Sequence, residues 1–409
     1  MDRATDAEPR GLPLRIVLLL AIAVFINYVD RGNLATAGPQ LKDELGLSNA
    51  QFGLLGSTFF LSYAPLQLIA GWLAQRFDVR YVLAAGLVIW ATATSLVGLA
   101  SSFSALLALR LLLGVGESVT YPCNSRLLAQ RSPEHQRGRA NGVVAGCQAL
   151  GPTFGTLVGG MIMASFGWRA AFVGFGLVSL LWLLPWFIAT RGGAVSGGTN
   201  HGAPLSYRRL LKERAIWGAS LGQFCSTYSF YFVLTWLPLI LVKSYGYSVK
   251  EMSQIGASVY ALYAVSSLLT GWASDHWIMA GATANRVRKS LLVGGLIGIA
   301  ILMMVCASAV STAAVVLLAA TAALFGTQTP NIFAISQTLG GPRAAGQWMG
   351  VQNFVGNIAG VVAPSVTGLV VDYTGGFYWA FAITAAVTLL GCFAFGVLIP
   401  RIEPIDWSK

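Results

Sequence analysis

The chain has 409 residues, of which 56% are hydrophobic and only 10% charged, and its mean hydropathy is +0.68. A soluble domain carries about 25% charged residues, so an ordinary water-facing surface is excluded, as are disordered, fibrous and small disulfide-stapled proteins. The apolar runs are continuous rather than alternating, which excludes an outer-membrane β-barrel. The composition therefore predicts an all-α protein that crosses a membrane many times.

Twelve apolar runs follow along the chain, each close to the roughly 20 residues that one membrane-spanning helix needs. A break rich in Gly, Ser, Arg and Lys divides them into six and six. We therefore predict two six-helix bundles, at 1–190 and 215–409, joined by a cytoplasmic linker at 191–214. The runs lie near 14–36, 50–73, 80–100, 104–128, 140–164, 168–190, 215–242, 252–274, 290–309, 312–337, 347–370 and 376–399.

The basic residues that give the net charge of +11 are unevenly distributed among the loops. Alternate loops, counted from the N-terminus, hold nineteen Lys and Arg residues, whereas the other loops hold only Lys42, Arg169, Lys243 and Lys250. Basic residues concentrate on the cytoplasmic side of membrane proteins, so both termini are predicted to be cytoplasmic. The basic excess is thus a sign of topology, and nucleic-acid binding is not predicted. No cysteine pair or histidine cluster indicates a metal site.

The two halves of the chain carry matching segments in the same order. Residues 71–74 (GWLA) recur as 271–274 (GWAS), the 121–122 pair Tyr-Pro recurs as Thr-Pro at 329–330, and 167–172 resemble 376–381. Parallel repeats of this kind are typical of transporters whose two halves rock about a site at the membrane midplane.

Charged residues within the spans are confined to the first half. They are Asp30, Arg31, Arg110, Glu117 and Arg126. Ionisable groups inside a bilayer are costly, which makes them candidates for function. Two carboxylates among arginines suit binding of an anion together with a proton; the alternative is a fixed salt-bridge network between helices one and four. Because Asp30 and Arg31 are adjacent, they diverge by about 100° and are expected to serve different neighbours.

The fourth span has polar and small residues spaced four, three, four and three apart, which places them on one face of a helix. They are Arg110, Gly114, Glu117, Tyr121 and Asn124.

Three segments resemble the anion:cation symporter family of the major facilitator superfamily, in particular its bacterial sugar-acid branch. They are 27–34 (NYVDRGNL), 110–122 (RLLLGVGESVTYP) and 224–238 (FCSTYSFYFVLTWLP). The resemblance implies the twelve-helix major facilitator fold and import of an organic anion, such as galactonate or a related hexonate or hexuronate, by proton symport across the inner membrane. Protons are then the coupling ion, with no cofactor. We expect a monomer whose partners are a small organic anion and the lipid bilayer.

The same resemblance assigns roles to individual residues. It implies that Asp30 and Glu117 carry protons and that Arg31 and Arg110 lie near the substrate carboxylate. Amide and phenol side chains are then expected to contact the rest of the substrate. These are Tyr28, Tyr63, Gln148, Gln223 and Asn353, with Asn357 on the same helix face as Asn353. For Gln148 a hydrogen bond between helices is an equal alternative.

Superfamily motifs are present with departures. The loop after helix two normally reads Gly-x-x-x-Asp-Arg-x-Gly-x-Arg, but here Gln75 and Asp78 replace the Asp and the second Gly, which puts that charge network in doubt. The second-half copy keeps its acid. Small residues before a proline in helix five allow close packing and bending. The structural or gating residues predicted from these motifs and from the charged spans are Gly71, Arg76, Arg126, Gly151, Pro152 and Asp275.

Other classes fit less well. An enzyme is not predicted, because no HExxH, GxSxG or phosphate-binding glycine loop is present. An exporter of hydrophobic cations shares the fold but needs buried acids without competing arginines. An exchanger of two organic anions needs the arginines but not two titratable carboxylates.

Overall fold

The computed structural model describes residues 12–47, 49–191, 204–241, 246–247, 249–308 and 311–407, and the regular secondary structure of these residues is helical with no strand. The helices are α1 Leu14–Leu45, α2 Asn49–Arg76, α3 Val79–Val97, α4 Phe103–Glu117, α5 Thr120–Arg131, α6 Glu134–Leu180, α7 Leu183–Ala189, α8 Tyr207–Leu210, α9 Arg214–Leu239, α10 Val249–Met279, α11 Ala284–Cys306, α12 Ser311–Thr374 and α13 Tyr378–Phe393, the last followed by a π-helical turn at Ala394–Leu398. We call α1–α7 the N-terminal half and α9–α13 the C-terminal half. Much of the predicted linker, 192–203, lies outside the described residues.

Two of the longest helices are interrupted by glycine. Gly167 in α6 and Gly341 in α12 have φ of 80° and 59°. L-residues rarely adopt this region, so only glycine turns the chain there without strain. Within the described residues, eight helical stretches are long and apolar enough to cross a membrane, with the stretches that contain α6 and α12 each counted once.

The fourth apolar run is divided into α4 and α5 by Ser118 and Val119. Both residues keep right-handed helical angles, so the chain shifts direction slightly rather than turning away. The predicted single polar face is consequently shared between two short helices. Residues before and after the break contribute to different cavities, as described below.

Helices α1 and α6 are in very close contact at the predicted glycine-proline segment. A Cβ placed on Gly32 would lie 2.8 Å from the carbonyl oxygen of Pro152, and one on Gly151 would lie 2.5 Å from Cβ of Tyr28. Side chains are excluded at these positions by the facing backbone. This contact fixes the depth of Tyr28 and its neighbours on α1.

The two halves meet through glycines at the end of the molecule that carries the start of α6. A Cβ on Gly71 would lie 2.8 Å from the carbonyl oxygen of Gly346, and one on Gly142 would lie 3.3 Å from Cα of Gly271. Gly71 was predicted from its motif as a structural residue. Here its lack of a side chain allows α2 to touch α12.

Polar contacts join the halves at the same end. Asp275 on α10 accepts hydrogen bonds from the backbone N–H groups of Gly138 (2.9 Å) and Arg139 (2.7 Å) on α6. Glu134 at the start of α6 forms an ion pair of 2.6 Å with the fully buried Arg288 of α11. The acid kept in the second copy of the loop motif therefore takes part in an inter-half network.

The first copy of that motif behaves differently. Gln75 donates hydrogen bonds to the carbonyl oxygens of Pro342 and Arg343, so an amide bridges the halves where the family pattern has an acid. Asp78 instead caps α3 by accepting from the backbone N–H of Arg80 (2.9 Å). Arg76 is exposed at the end of α2.

Arg126 is the third arginine of the first-half spans. It donates to the carbonyl oxygens of Ala74 and Phe77, the latter at 2.8 Å. The guanidinium thus satisfies carbonyls at the end of α2 that have no partner within the helix. A structural role of Arg126 stays a prediction, and these contacts are compatible with it.

Candidate functional site

A cavity lies between the two halves, with side chains of both halves in its wall. Six of the eight residues predicted to contact substrate line it. They are Tyr28, Tyr63, Gln148, Gln223, Asn353 and Asn357.

An ion pair lies next to two of the tyrosines that line this cavity. Nη2 of Arg31 lies 3.3 Å from Oε2 of Glu117; the Glu117 side chain is completely buried, whereas that of Arg31 is 16% exposed. The Arg31 guanidinium lies 4.3 Å from the ring centre of Tyr28 and 5.1 Å from that of Tyr63. Cation–π contact of this kind holds a guanidinium in place without using up its N–H groups. Arg31 thus links a buried carboxylate to two residues of the cavity wall.

Two further charged residues of the first-half spans, Asp30 and Arg110, occupy a separate, smaller cavity. Asp30 and Arg110 both line it among apolar side chains. Oδ2 of Asp30 accepts from the hydroxyl of Thr94 (3.0 Å), and Nε of Arg110 donates to the carbonyl oxygen of Leu55 (3.2 Å). Asp30 and Arg31, which follow each other on α1, thus contact different neighbours, as their divergence on the helix predicts. The structure places Arg110 beside Asp30 and away from the larger cavity.

Tyr121 and Gln148 join α5 to α6 at the cavity wall. The Tyr121 hydroxyl donates to Oε1 of Gln148 at 2.6 Å, and both side chains line the cavity. The inter-helix hydrogen bond expected as one alternative for Gln148 is present, and contact of Gln148 with substrate stays a prediction. Its carbonyl oxygen binds a neighbouring helix while its amide remains part of the lining.

The C-terminal half contributes amides. Nε2 of Gln223 donates to Oδ1 of Asn353 at 2.5 Å, and Nδ2 of Asn357 donates to the backbone oxygen of Asn353 at 2.8 Å. Sequence reasoning expected one of the two asparagines to face the cavity. Both line it, because they stand one helical turn apart on α12.

Some residues of the lining were missed from the sequence. Gln328 and Thr329 on α12, and Ser226 and Thr227 on α9, are polar groups of the wall. The hydroxyl of Thr329 lies 2.8 Å from that of Tyr263, which also lines the cavity. One signal was available: the Thr-Pro pair at 329–330 repeats the Tyr-Pro pair at 121–122, and the tyrosine of that pair lines the same cavity from the other half.

Comparison with known proteins agrees with this architecture. The sequence profile of the Major Facilitator Superfamily matches residues 20–360 and 278–409. The chain therefore belongs to the Major Facilitator Superfamily, and it is a transporter rather than an enzyme.

Individual relatives cover nearly the whole chain. The hexuronate transporter of Bacillus subtilis (strain 168) is 30% identical over 404 residues, which are 96% of this chain and 95% of that protein. The probable sulfoacetate transporter SauU of Cupriavidus necator (strain ATCC 17699) is 30% identical over 400 residues, 93% of this chain and 92% of that protein. Among solved structures, the proton:xylose symporter XylE bound to 6-bromo-6-deoxy-D-glucose superposes with a TM-score of 0.77 at 14% identity, covering 95% of this chain and 96% of XylE.

Proposed function

We propose that this chain is a proton symporter that imports a sugar acid of the hexonate or hexuronate type across the inner membrane. The observation that carries the proposal is the Arg31–Glu117 pair, buried directly behind a cavity walled by amides and phenols. The relatives named above support an organic anion as substrate. Amides and phenols offer both donors and acceptors, which suits a molecule with several hydroxyl groups.

Charge balance links the proton to the anion. Arg31 and ionised Glu117 together carry no net charge, so a bound carboxylate adds one uncompensated negative charge in a cavity of low dielectric constant. Protonation of Glu117 removes that charge and releases Arg31, whose planar N–H groups then grip the substrate carboxylate. Anion and proton are therefore favoured together, which is the requirement for symport.

Asp30 has the role of a second proton site in this proposal. It is buried beside Arg110, and its Oδ1 has no hydrogen-bond partner among the described residues. We assign Arg110 the task of balancing Asp30, and Arg31 the task of binding the substrate carboxylate. One monovalent anion that enters with two protons carries a net charge of +1, so uptake is then driven by the membrane potential as well.

The topology follows from the same proposal. Division of α6 and α12 at their glycines, together with α1 (32 residues) and α9 (26 residues), gives twelve spans. The end that carries Asp275 is the cytoplasmic end by the distribution of basic residues. The glycine contacts and ion pairs there close the cytoplasmic side, and rocking of the halves opens it.

The test is uptake by the purified protein in proteoliposomes. Galactonate, galacturonate and glucuronate are offered with and without an inward proton gradient, and sulfoacetate is offered in parallel. We expect accumulation of a hexonate or hexuronate that collapses when a protonophore is added. Uptake of sulfoacetate alone would refute the sugar-acid assignment, and accumulation that ignores the protonophore but requires a counter-anion inside would establish an exchanger instead.

A further inference from the structure

Gln352 is a fully buried amide that precedes Asn353 on α12 and is not part of the cavity wall. Its Oε1 accepts hydrogen bonds from the indole N–H of Trp348 (3.0 Å) and from the hydroxyl of Ser336 (2.6 Å). Its Nε2 donates to Oε1 of Gln223 at 2.7 Å. A chain of three amides, 352–223–353, thus runs from the interior of the C-terminal half to the cavity.

The direction of this chain follows from the chemistry of its buried end. The oxygen and nitrogen of an amide have nearly the same shape, so their orientation is set by their hydrogen-bond partners. An indole nitrogen only donates, so the oxygen of Gln352 has to face Trp348 and its nitrogen has to face Gln223. Rotation of the amide by half a turn would bring two N–H groups together and leave the indole N–H of Trp348 without an acceptor.

The remaining orientations follow in order. Because Gln223 accepts from Gln352 with its oxygen, its nitrogen faces Asn353 and requires an acceptor there. Oδ1 of Asn353 is the atom that it meets. The group of Asn353 left for the cavity is therefore its Nδ2 amide, which is a donor.

Gln328 is a second amide whose oxygen is held in a protein contact. Oε1 of Gln328 accepts from the hydroxyl of Ser226, and its buried Nε2 has no hydrogen-bond partner among the residues that the structure describes. Gln328 lines the same cavity as Asn353. The C-terminal half thus offers two amide N–H donors and holds their oxygens in protein contacts.

We propose that Gln352 is a positioning residue for substrate specificity: anchored by Trp348, it orients Gln223 and Asn353 so that Asn353 reads a substrate oxygen as a hydrogen-bond acceptor. The identity of the substrate rests on the proposed function. The proposal adds that the hydroxyl group of the sugar acid that Asn353 contacts is recognised through its lone pairs rather than through its proton.

The test uses Trp348→Phe, which removes the donor-only group, with Trp407→Phe as its matched control. Trp407 lies beside Trp348, with ring centres 6.5 Å apart, but donates to the backbone oxygen of Gly340 and is not part of the amide chain. The probes are galactonate analogues in which one hydroxyl at a time is replaced by fluorine or by hydrogen. Fluorine accepts a hydrogen bond weakly and cannot donate one.

Binding is measured by competition against the parent acid. At one position or more, we expect the fluoro analogue to bind the wild type at least about threefold more tightly than the deoxy analogue, and this ratio to fall to near one in Trp348→Phe while Trp407→Phe keeps it. Gln352→Met, which removes the amide that Trp348 contacts, should lower this ratio to near one as well. A ratio near one in the wild type, or the same ratio in all four proteins, would overturn the proposal.

A readout without substrate separates this proposal from the proposed function. If the three amides act as one chain, the losses in Tm caused by Trp348→Phe and Gln223→Leu are not additive, whereas those of Trp407→Phe and Gln223→Leu are. Additive losses in both pairs would refute the chain of amides. Failure of the wild type to bind any hexonate or hexuronate would refute the proposed function and leave the Tm comparison to decide the role of Gln352.

Discussion

Replacement of Glu117 by glutamine tests the coupling of anion and proton most directly. Glutamine has the shape of protonated glutamate, so the side chain stays in its fully buried position while its negative charge is lost. With substrate bound, Arg31 and the carboxylate balance each other and the loaded protein still changes sides. Without substrate, Arg31 has no counter-charge, and carrying it through a closing, low-dielectric path is costly. We therefore expect exchange of substrate to persist and net accumulation to stop.

The expected loss of accumulation follows from the free energy that a pH gradient supplies per proton. A gradient of one pH unit supplies about 1.36 kcal/mol per proton, which is a tenfold accumulation ratio. In Glu117→Gln at least this factor is lost, because the empty protein does not return, and the pH dependence of substrate affinity that comes from Glu117 is lost with it. In the wild type we expect affinity to rise as pH falls, because protonation of Glu117 would release Arg31 for the substrate.

The assay compares gradient-driven uptake with counterflow exchange in the same proteoliposomes, and equilibrium affinity at several pH values. Glu44→Gln is the matched control, since Glu44 also pairs with an arginine, Arg169 at 2.9 Å, but is half exposed and remote from the cavity. Normal gradient-driven accumulation by Glu117→Gln would remove Glu117 from the mechanism. Loss of exchange and binding together would show that its charge is needed only for structure.

Four further substitutions address binding, selectivity, coupling and gating. Arg31→Lys keeps the charge but loses the planar fork, so we expect affinity to fall at least about tenfold, or 1.4 kcal/mol, by equilibrium binding; unchanged affinity would leave Arg31 only a partner of its neighbouring acid. Asn353→Ala should alter competition among a panel of sugar acids without changing the proton-to-substrate ratio. Asp30→Asn should instead lower that ratio and abolish stimulation by an inside-negative potential. The opposite pattern would mean that the N-terminal half does not bind the proton and that the C-terminal half does not select the substrate. Gly71→Val adds side-chain atoms at a position where a Cβ would lie only 2.8 Å from a facing carbonyl oxygen, so we expect uptake to fall at least about tenfold. Gly53→Val on the same helix, where nothing lies within 4 Å of an added Cβ, should keep uptake. Equal effects of the two substitutions would refute the gating role of Gly71.

Membrane class, the major facilitator fold and the residues of interest could be predicted from the sequence because they depend on local properties. Apolar length is set by bilayer thickness, and charges within apolar runs are costly wherever the run folds. The isolated acids Asp30 and Glu117 could therefore be selected without knowledge of their neighbours. The family motifs identified most of the amides and phenols that line the cavity.

Tertiary structure decided which of these groups meet. Arg31 and Glu117 are 86 residues apart, and only the packing of α1 against the other helices of its half brings them to 3.3 Å. Arg110 shares a helix with Glu117, yet it lines the smaller cavity together with Asp30. Side-chain periodicity gives the face of one helix, but not which neighbouring helix that face will contact.

The inter-half contacts were also beyond the sequence. Gln75 departs from the motif at a position where an acid is usual, and the loss of charge suggested a missing gate contact. The structure shows an amide bridge to backbone oxygens of α12 instead. The direction of the amides at Gln352 and Gln223 likewise depends on Trp348, a donor that only the fold brings to the same point. Local sequence determined what each helix carries; the packing of helices distant along the chain determined the partner of each polar group, because hydrogen bonds and ion pairs form over a few ångströms of space and not of sequence.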